Sequence, residues 1–178
     1  MKSVRQIPLI TLLMLATCLS TAGCLAYRFG AQSMYRPDVR TVHVPMIPSD
    51  SFRRNLGERL TEAVVKEIET TTPFKVVSDP DADSTLRCRL TGDTKRVAVE
   101  TRTDEPRVAE LAFNVQVEWI DRSGQPLNQT TQLPLPLALN ISQASEFIPE
   151  GGQSVSSAQQ EAIIRLAKQI VSQMQIWW

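Results

Sequence analysis

The sequence predicts an α+β fold: a two-layer sandwich in which a mostly antiparallel sheet carries two helices on one face, in the order β-α-β-β-β-α. Three patterns lead there. Phe52, Leu56, Leu60, Val64 and Ile68 recur at four-residue steps, which gathers an apolar stripe along one side of a helix. Leu111, Phe113, Val115, Val117 and Trp119 alternate with Glu110, Ala112, Asn114, Gln116 and Glu118, the mark of a half-buried strand. Ala162, Ile163, Leu166, Ile170, Val171 and Met174 return to helical spacing near the C-terminus.

Taken in order, Val39 to Ile47 reads as a strand stopped by Pro48. Ser49, Asp50 and Ser51 offer capping oxygens for the first helix, which is expected to take in Phe52 and run to about Thr70. Thr70-Thr71-Thr72-Pro73 ends it, because Pro73 restricts its neighbour and threonine is a poor helix former. Phe74 to Val77 is a short extended piece, and Asp79 to Asp83 a turn. Leu86, Cys88 and Leu90 alternate with Arg87 and Arg89, Gly92-Asp93 marks a bulge or bend, and Val97 and Val99 resume the strand. Asp104-Glu105-Pro106 and Asp121-Arg122-Ser123-Gly124 are turns. Leu127 to Leu139 is expected as an edge strand, since Pro134 and Pro136 cannot donate to a ladder. A polar loop then leads to the last helix, capped at Ser156 or Ser157.

The first residues read as an export signal. Lys2 and Arg5 precede an apolar run from Ile7 to Leu19, roughly thirteen residues where a spanning helix needs ~18 or more. Thr21-Ala22-Gly23-Cys24 resembles a lipobox, in which the cysteine thiol takes up lipid before cleavage. Thr21 stands where Leu is usual; Leu15-Ala16-Thr17-Cys18 has the Leu but puts Thr17 before its cysteine. The expected organisation is a signal peptide over 1–23, a lipidated tether over 24–38 beginning at acylated (palmitate-bearing) Cys24, and one α+β domain over 39–178. Three acyl chains exceed what stable attachment needs.

This accounts for an odd cysteine count. Cys18 leaves with the signal, Cys24 is acylated, and Cys88 remains as a small apolar residue between Leu86 and Leu90. Lysine and arginine balance the acids at 19 each, which argues against a nucleic-acid coat.

Little points to catalysis, metal or a cofactor. His43 is the single histidine and has no cysteine at ligand spacing. Neither a Gly-x-Ser-x-Gly elbow nor a Gly-rich phosphate loop occurs. The chain therefore reads as a non-enzyme. What stands out is charge: Arg87 and Arg89 share a strand face, followed by Lys95, Arg96, Arg102 and Arg107. Guanidinium forks bind phosphates and carboxylates in pairs. Arg87, Arg89, Lys95 and Arg96 are thus candidates for binding phosphate or carboxylate groups, against the plainer reading of a solvated sheet face.

Tyr27-Arg28-Phe29-Gly30 after Cys24, the extended Thr41 to Ile47, and the helix beginning Ser51-Phe52-Arg53-Arg54-Asn55-Leu56 resemble the lipopolysaccharide-assembly lipoprotein family (LptE). The resemblance covers nearly all of the mature chain, through loose motifs. It implies an outer-membrane lipoprotein on the periplasmic side that plugs a β-barrel translocon and helps deliver lipopolysaccharide to the cell surface. The alternative is a structural or secretion-assembly lipoprotein of the periplasm with no lipid ligand, suggested by Phe74-Lys75-Val76-Val77 and Ala82-Asp83-Ser84-Thr85-Leu86.

Overall fold

The computed structural model describes residues 34–100, 106–127 and 138–176. Its elements are β1 (Thr41–His43), α1 (Leu56–Thr71), β2 (Lys75–Val77), β3 (Ser84–Glu100), β4 (Pro106–Asp121), β5 (Leu139–Phe147) and α2 (Val155–Ser172). The five strands lie in the order β2-β1-β3-β4-β5. β1 runs parallel to β2 and β3, while β3, β4 and β5 are successively antiparallel. The predicted α+β class holds, with one strand more than expected: the extended piece after Pro73 is a full member of the sheet.

One face of this sheet carries both helices. Leu56, Leu60, Val64 and Ile68 of α1 pack with Leu86, Cys88 and Leu90 of β3 and Val115, Val117 and Trp119 of β4. Ala162, Ile163, Leu166, Ile170, Val171 and Met174 of α2 complete the same cluster. Each large aliphatic side chain so buried contributes about 1.5–3 kcal/mol. Tyr35, at the end of the expected tether, is buried edge-on against Phe74, with ring centroids 5.4 Å apart.

Three boundaries differ from the sequence reading. α1 starts at Leu56, so Phe52 falls outside the helix and is fully exposed. The cause is Asn55, whose left-handed backbone (φ 63°) breaks helical continuity; asparagine tolerates that region better than most residues. The serines expected to cap the helix instead close the preceding loop: Ser49 Oγ accepts from Ser51 N at 3.2 Å, and Ser51 Oγ from Arg53 N at 3.0 Å. The stretch after Leu139, expected as a polar loop, forms the edge strand β5, while the strand expected over Leu127 to Leu139 falls largely on residues that the structure does not describe. Residues 128–137 lie outside the described set, and Leu139 begins the strand that pairs with β4. α2 is capped by Ser154, whose Oγ accepts from Ser157 N at 3.1 Å.

The turn at Asp121 to Gly124 is as expected. Asp121 Oδ1 accepts from Ser123 N and Gln125 N, both at 2.8 Å, and Gly124 takes φ 81°. At the first strand, only Thr41–His43 pairs as a ladder. Beyond it the extended chain is stitched to β3: Leu90 N donates to Pro48 O at 3.0 Å and Asp50 N to Leu90 O at 2.9 Å.

Candidate functional site: the open face of the sheet

Alternation puts every second residue of β3 and β4 away from the helices. Arg87 and Arg89 therefore stand exposed on the opposite face, paired in register with Glu118 and Gln116 of β4. Asn114, and Asn140 and Ser142 of β5, extend this face by the same register. No described helix packs on it. The result is a polar surface of guanidinium, amide and hydroxyl groups, backed by an apolar core.

The four basic residues predicted as one group are not brought together. The bulge between Leu90 and Gly92 adds a residue to β3 and inverts its alternation. Lys95 consequently pairs with buried Leu111 and turns to the helix side, where its Nζ lies 5.6 Å from the Phe147 ring centroid. Arg96 stays on the open face but is nine residues from Arg87, up to ~30 Å at the usual strand rise. Arg87 and Arg89 are ~7 Å apart and form the compact pair.

Local electrostatics separates these two further. Arg89 forks onto Asp50, with Nε–Oδ2 at 3.0 Å and Nη2–Oδ1 at 2.8 Å. That hydrogen bonding lowers the Asp50 carboxyl below its ordinary pKa. Arg96 pairs with Glu110 at 2.6 Å. Among the described residues Arg87 has no ion-pair partner. The partners Asp50 and Glu110 were missed in the sequence; for Glu110 the signal was its place on the polar alternation of β4. Arg102, the side chain of Arg107, and Cys24 lie outside the described residues.

Elsewhere the chemistry is quiet. His43 Nδ1 lies 3.2 Å from Val77 O. Burial pushes the Cys88 thiol up to about 12, so it is no nucleophile at neutral pH. Among the described residues no three His, Cys, Asp or Glu side chains form a metal-binding group, and no helix is long and apolar enough to cross a membrane. A groove of about 240 Å³ between α1 and α2 is bordered by Arg59, Glu62, Lys66 and Glu67, and brings no nucleophile against a base.

Among the described residues, the site is thus one polar sheet face of a two-layer domain with no element packed on it. Residues 39–175 match the lipopolysaccharide-assembly family, LptE, and the chain belongs to that family. It is therefore a non-enzymatic lipoprotein of lipopolysaccharide assembly. No curated protein matches the chain. Among solved structures it is similar to the uncharacterized lipoprotein B of Nitrosomonas europaea, with TM-score 0.54 and 13% identity, covering 83% of this chain and 89% of that one. It is also similar to a hypothetical protein of Chlamydia trachomatis, with TM-score 0.52 and 8% identity, covering 75% and 94%. These likenesses show the shared fold.

Proposed function

We propose that the mature protein is anchored in the outer membrane through acylated Cys24, partners a β-barrel translocon there, and presents Arg87 and Arg89 to the phosphates of lipopolysaccharide. One observation carries the reading: the sheet face opposite the helices is uncovered by any described element and is polar throughout its centre. Such a face suits a barrel lumen, which is itself lined by polar residues. The Arg87 and Arg89 side chains, two residues apart on this face, support reading it as a phosphate site. Arg87, with no ion-pair partner among the described residues, takes the oxyanion directly, whereas at Arg89 the ligand displaces Asp50. Arg96 extends the same face as a more distant contact, and Lys95 is excluded from it by the bulge.

The anchor is within reach of the domain. Met34 is ten Cα steps on from Cys24, which when extended span at most ~35 Å.

The test is Arg87→Glu with Arg89→Glu, measured by binding to vesicles containing lipopolysaccharide. Each charge-assisted contact contributes ~1.5–3 kcal/mol, so losing both weakens affinity at least about a hundredfold. Both side chains are exposed, so the fold should survive. Unchanged affinity in a folded double variant returns these arginines to the role of a solvated face.

A further inference from the structure

The Arg89 fork is occupied by a side chain that the local fold does not depend on. Asp50 reaches it from the segment that runs beside β3, and backbone bonds alone fix that segment. Leu90 N donates to Pro48 O at 3.0 Å, and Asp50 N donates to Leu90 O at 2.9 Å. Ser49 Oγ accepts from Ser51 N at 3.2 Å, and Arg53 pairs with Asp93. None of these contacts uses the Asp50 carboxylate. Among the described residues its oxygens bond to Arg89 and to nothing else.

Stability is a poor account of this pair. Arg89 and Asp50 are 55% and 44% exposed, and ion pairs in water contribute little. What the pair does is fill a recognition edge. Nε and Nη2 of Arg89 each hold one carboxylate oxygen, and that edge is the one by which a guanidinium takes two oxygens of a phosphate. Hydrogen bonding from Arg89 keeps the Asp50 carboxyl below its ordinary pKa, so the occupant stays charged at neutral pH. Arg87, on the same face, has no such occupant: Glu118 stands opposite it in register without forming an ion pair.

We propose, resting on the reading of the open face as a phosphate site, that Asp50 is a built-in competitor there: its carboxylate holds the Arg89 fork in the empty protein, and a phosphate engages Arg89 only by displacing it. Arg87 then contributes its contact in full, whereas Arg89 contributes only the difference between a phosphate and the carboxylate it gives up. Because the chain carries the competitor, its local concentration is fixed and dilution does not remove it. The site therefore binds phosphate more weakly than two vacant forks would, and Asp50 retakes Arg89 as the ligand leaves. That suits a protein that hands its ligand on.

The experiment follows the side-chain Nε–H resonances of Arg87 and Arg89 in the detergent-solubilised full chain. The titrants are inorganic phosphate and, separately, dihexanoyl phosphatidic acid, a soluble lipid with the same phosphate monoester. Asp50→Asn should tighten the binding of both by about three- to fivefold, the upper range for release of an exposed pair. Asp50→Ala should do the same, and both variants keep the backbone bonds that hold the segment. In an Arg89→Gln background the Asp50→Asn gain should vanish, since two residues that act as a pair are not additive. A gain of equal size in both backgrounds means that Asp50 acts through the general field of the surface, and overturns the proposal. Unchanged affinity in Asp50→Asn overturns it as well. So does a gain with the lipid alone, because the contest is for the phosphate group. The site reading fails by a different result: phosphate binding that survives Arg87→Glu with Arg89→Glu. Loss of binding in that pair, with no gain in Asp50→Asn, keeps the site and removes the competitor.

Discussion

Gly57→Ala isolates the contact that locks the first helix to the sheet. Gly57 is buried in the first turn of α1, and a Cβ added there would lie 2.2 Å from Ile47 O and 3.3 Å from Ile47 C. The obstacle is backbone, held on both sides. Ile47 N donates to Thr61 Oγ1 at 3.0 Å, Thr61 Oγ1 donates to Gly57 O at 2.7 Å, and the adjoining Pro48 and Asp50 are bonded to Leu90. Relieving the overlap means separating helix and strand by roughly 1 Å, since non-bonded carbon contacts settle near ~3.5 Å. Overpacking of this sort costs ~1–3 kcal/mol, and a pinned backbone belongs at the upper end. Alanine returns up to ~1 kcal/mol through helix propensity. The net expectation is a loss of about 2 kcal/mol, or roughly 6 °C in Tm for a domain of this size. Urea and thermal unfolding followed by circular dichroism measure it. Gly92→Ala is the control: the nearest atom to its added Cβ is Asn114 Nδ2, a side-chain amide 3.8 Å away, so its stability should barely change. A Gly57→Ala protein as stable as the parent would show that the Ile47 segment yields freely, and the pinning argument would fail.

Three further outcomes follow from the same structure. Cys24→Ser should abolish labelling by palmitate, whereas Cys18→Ser should retain it; the reverse pattern reassigns the anchor. Cys88 is buried with its pKa raised to about 12, so a thiol reagent at pH 8 should react with it only on unfolding, and rapid labelling of the native protein would contradict its place under the helices. Asp83 accepts from Arg40 N at 3.1 Å and Thr41 N at 3.0 Å, and these backbone bonds hold its pKa below the ordinary 3.8. Its stabilisation is therefore full above about pH 4 and lost as pH falls through the lowered value. Asp83→Asn should lower stability at pH 7 and flatten the acid limb below pH 4; an unchanged acid limb would assign that limb to other carboxylates.

What could be read from the chain and what could not divide along physical lines. The β4 strand and the α2 face were legible because their apolar residues alternate without interruption and are all buried. Phe52 continued the four-residue stripe into α1 and still misled, because periodicity does not report the left-handed turn at Asn55 that ends the helix first. β5 was hidden for a different reason: its inward positions include Gln143 and Ser145, so its polarity reads as loop. Gly92 signalled a bulge, but not that the bulge would invert everything after it. That inversion is why a four-residue basic group in sequence becomes a compact Arg87–Arg89 pair, a remote Arg96 and a Lys95 on the other face. Asp50, far from Arg89 in sequence, becomes its partner only through the stitching of Pro48 and Asp50 to Leu90.

The central claim is that this lipoprotein works on the membrane as the partner of a β-barrel. The most direct measurement is purification of the acylated protein from gently solubilised outer membranes, with limited proteolysis of whatever accompanies it. The account predicts a stoichiometric complex with an integral β-barrel that resists protease while the lipoprotein is bound and is cleaved faster once it is removed. Recovery of the lipoprotein as a free monomer, with no barrel attached and no change in any barrel's protease resistance, would contradict it.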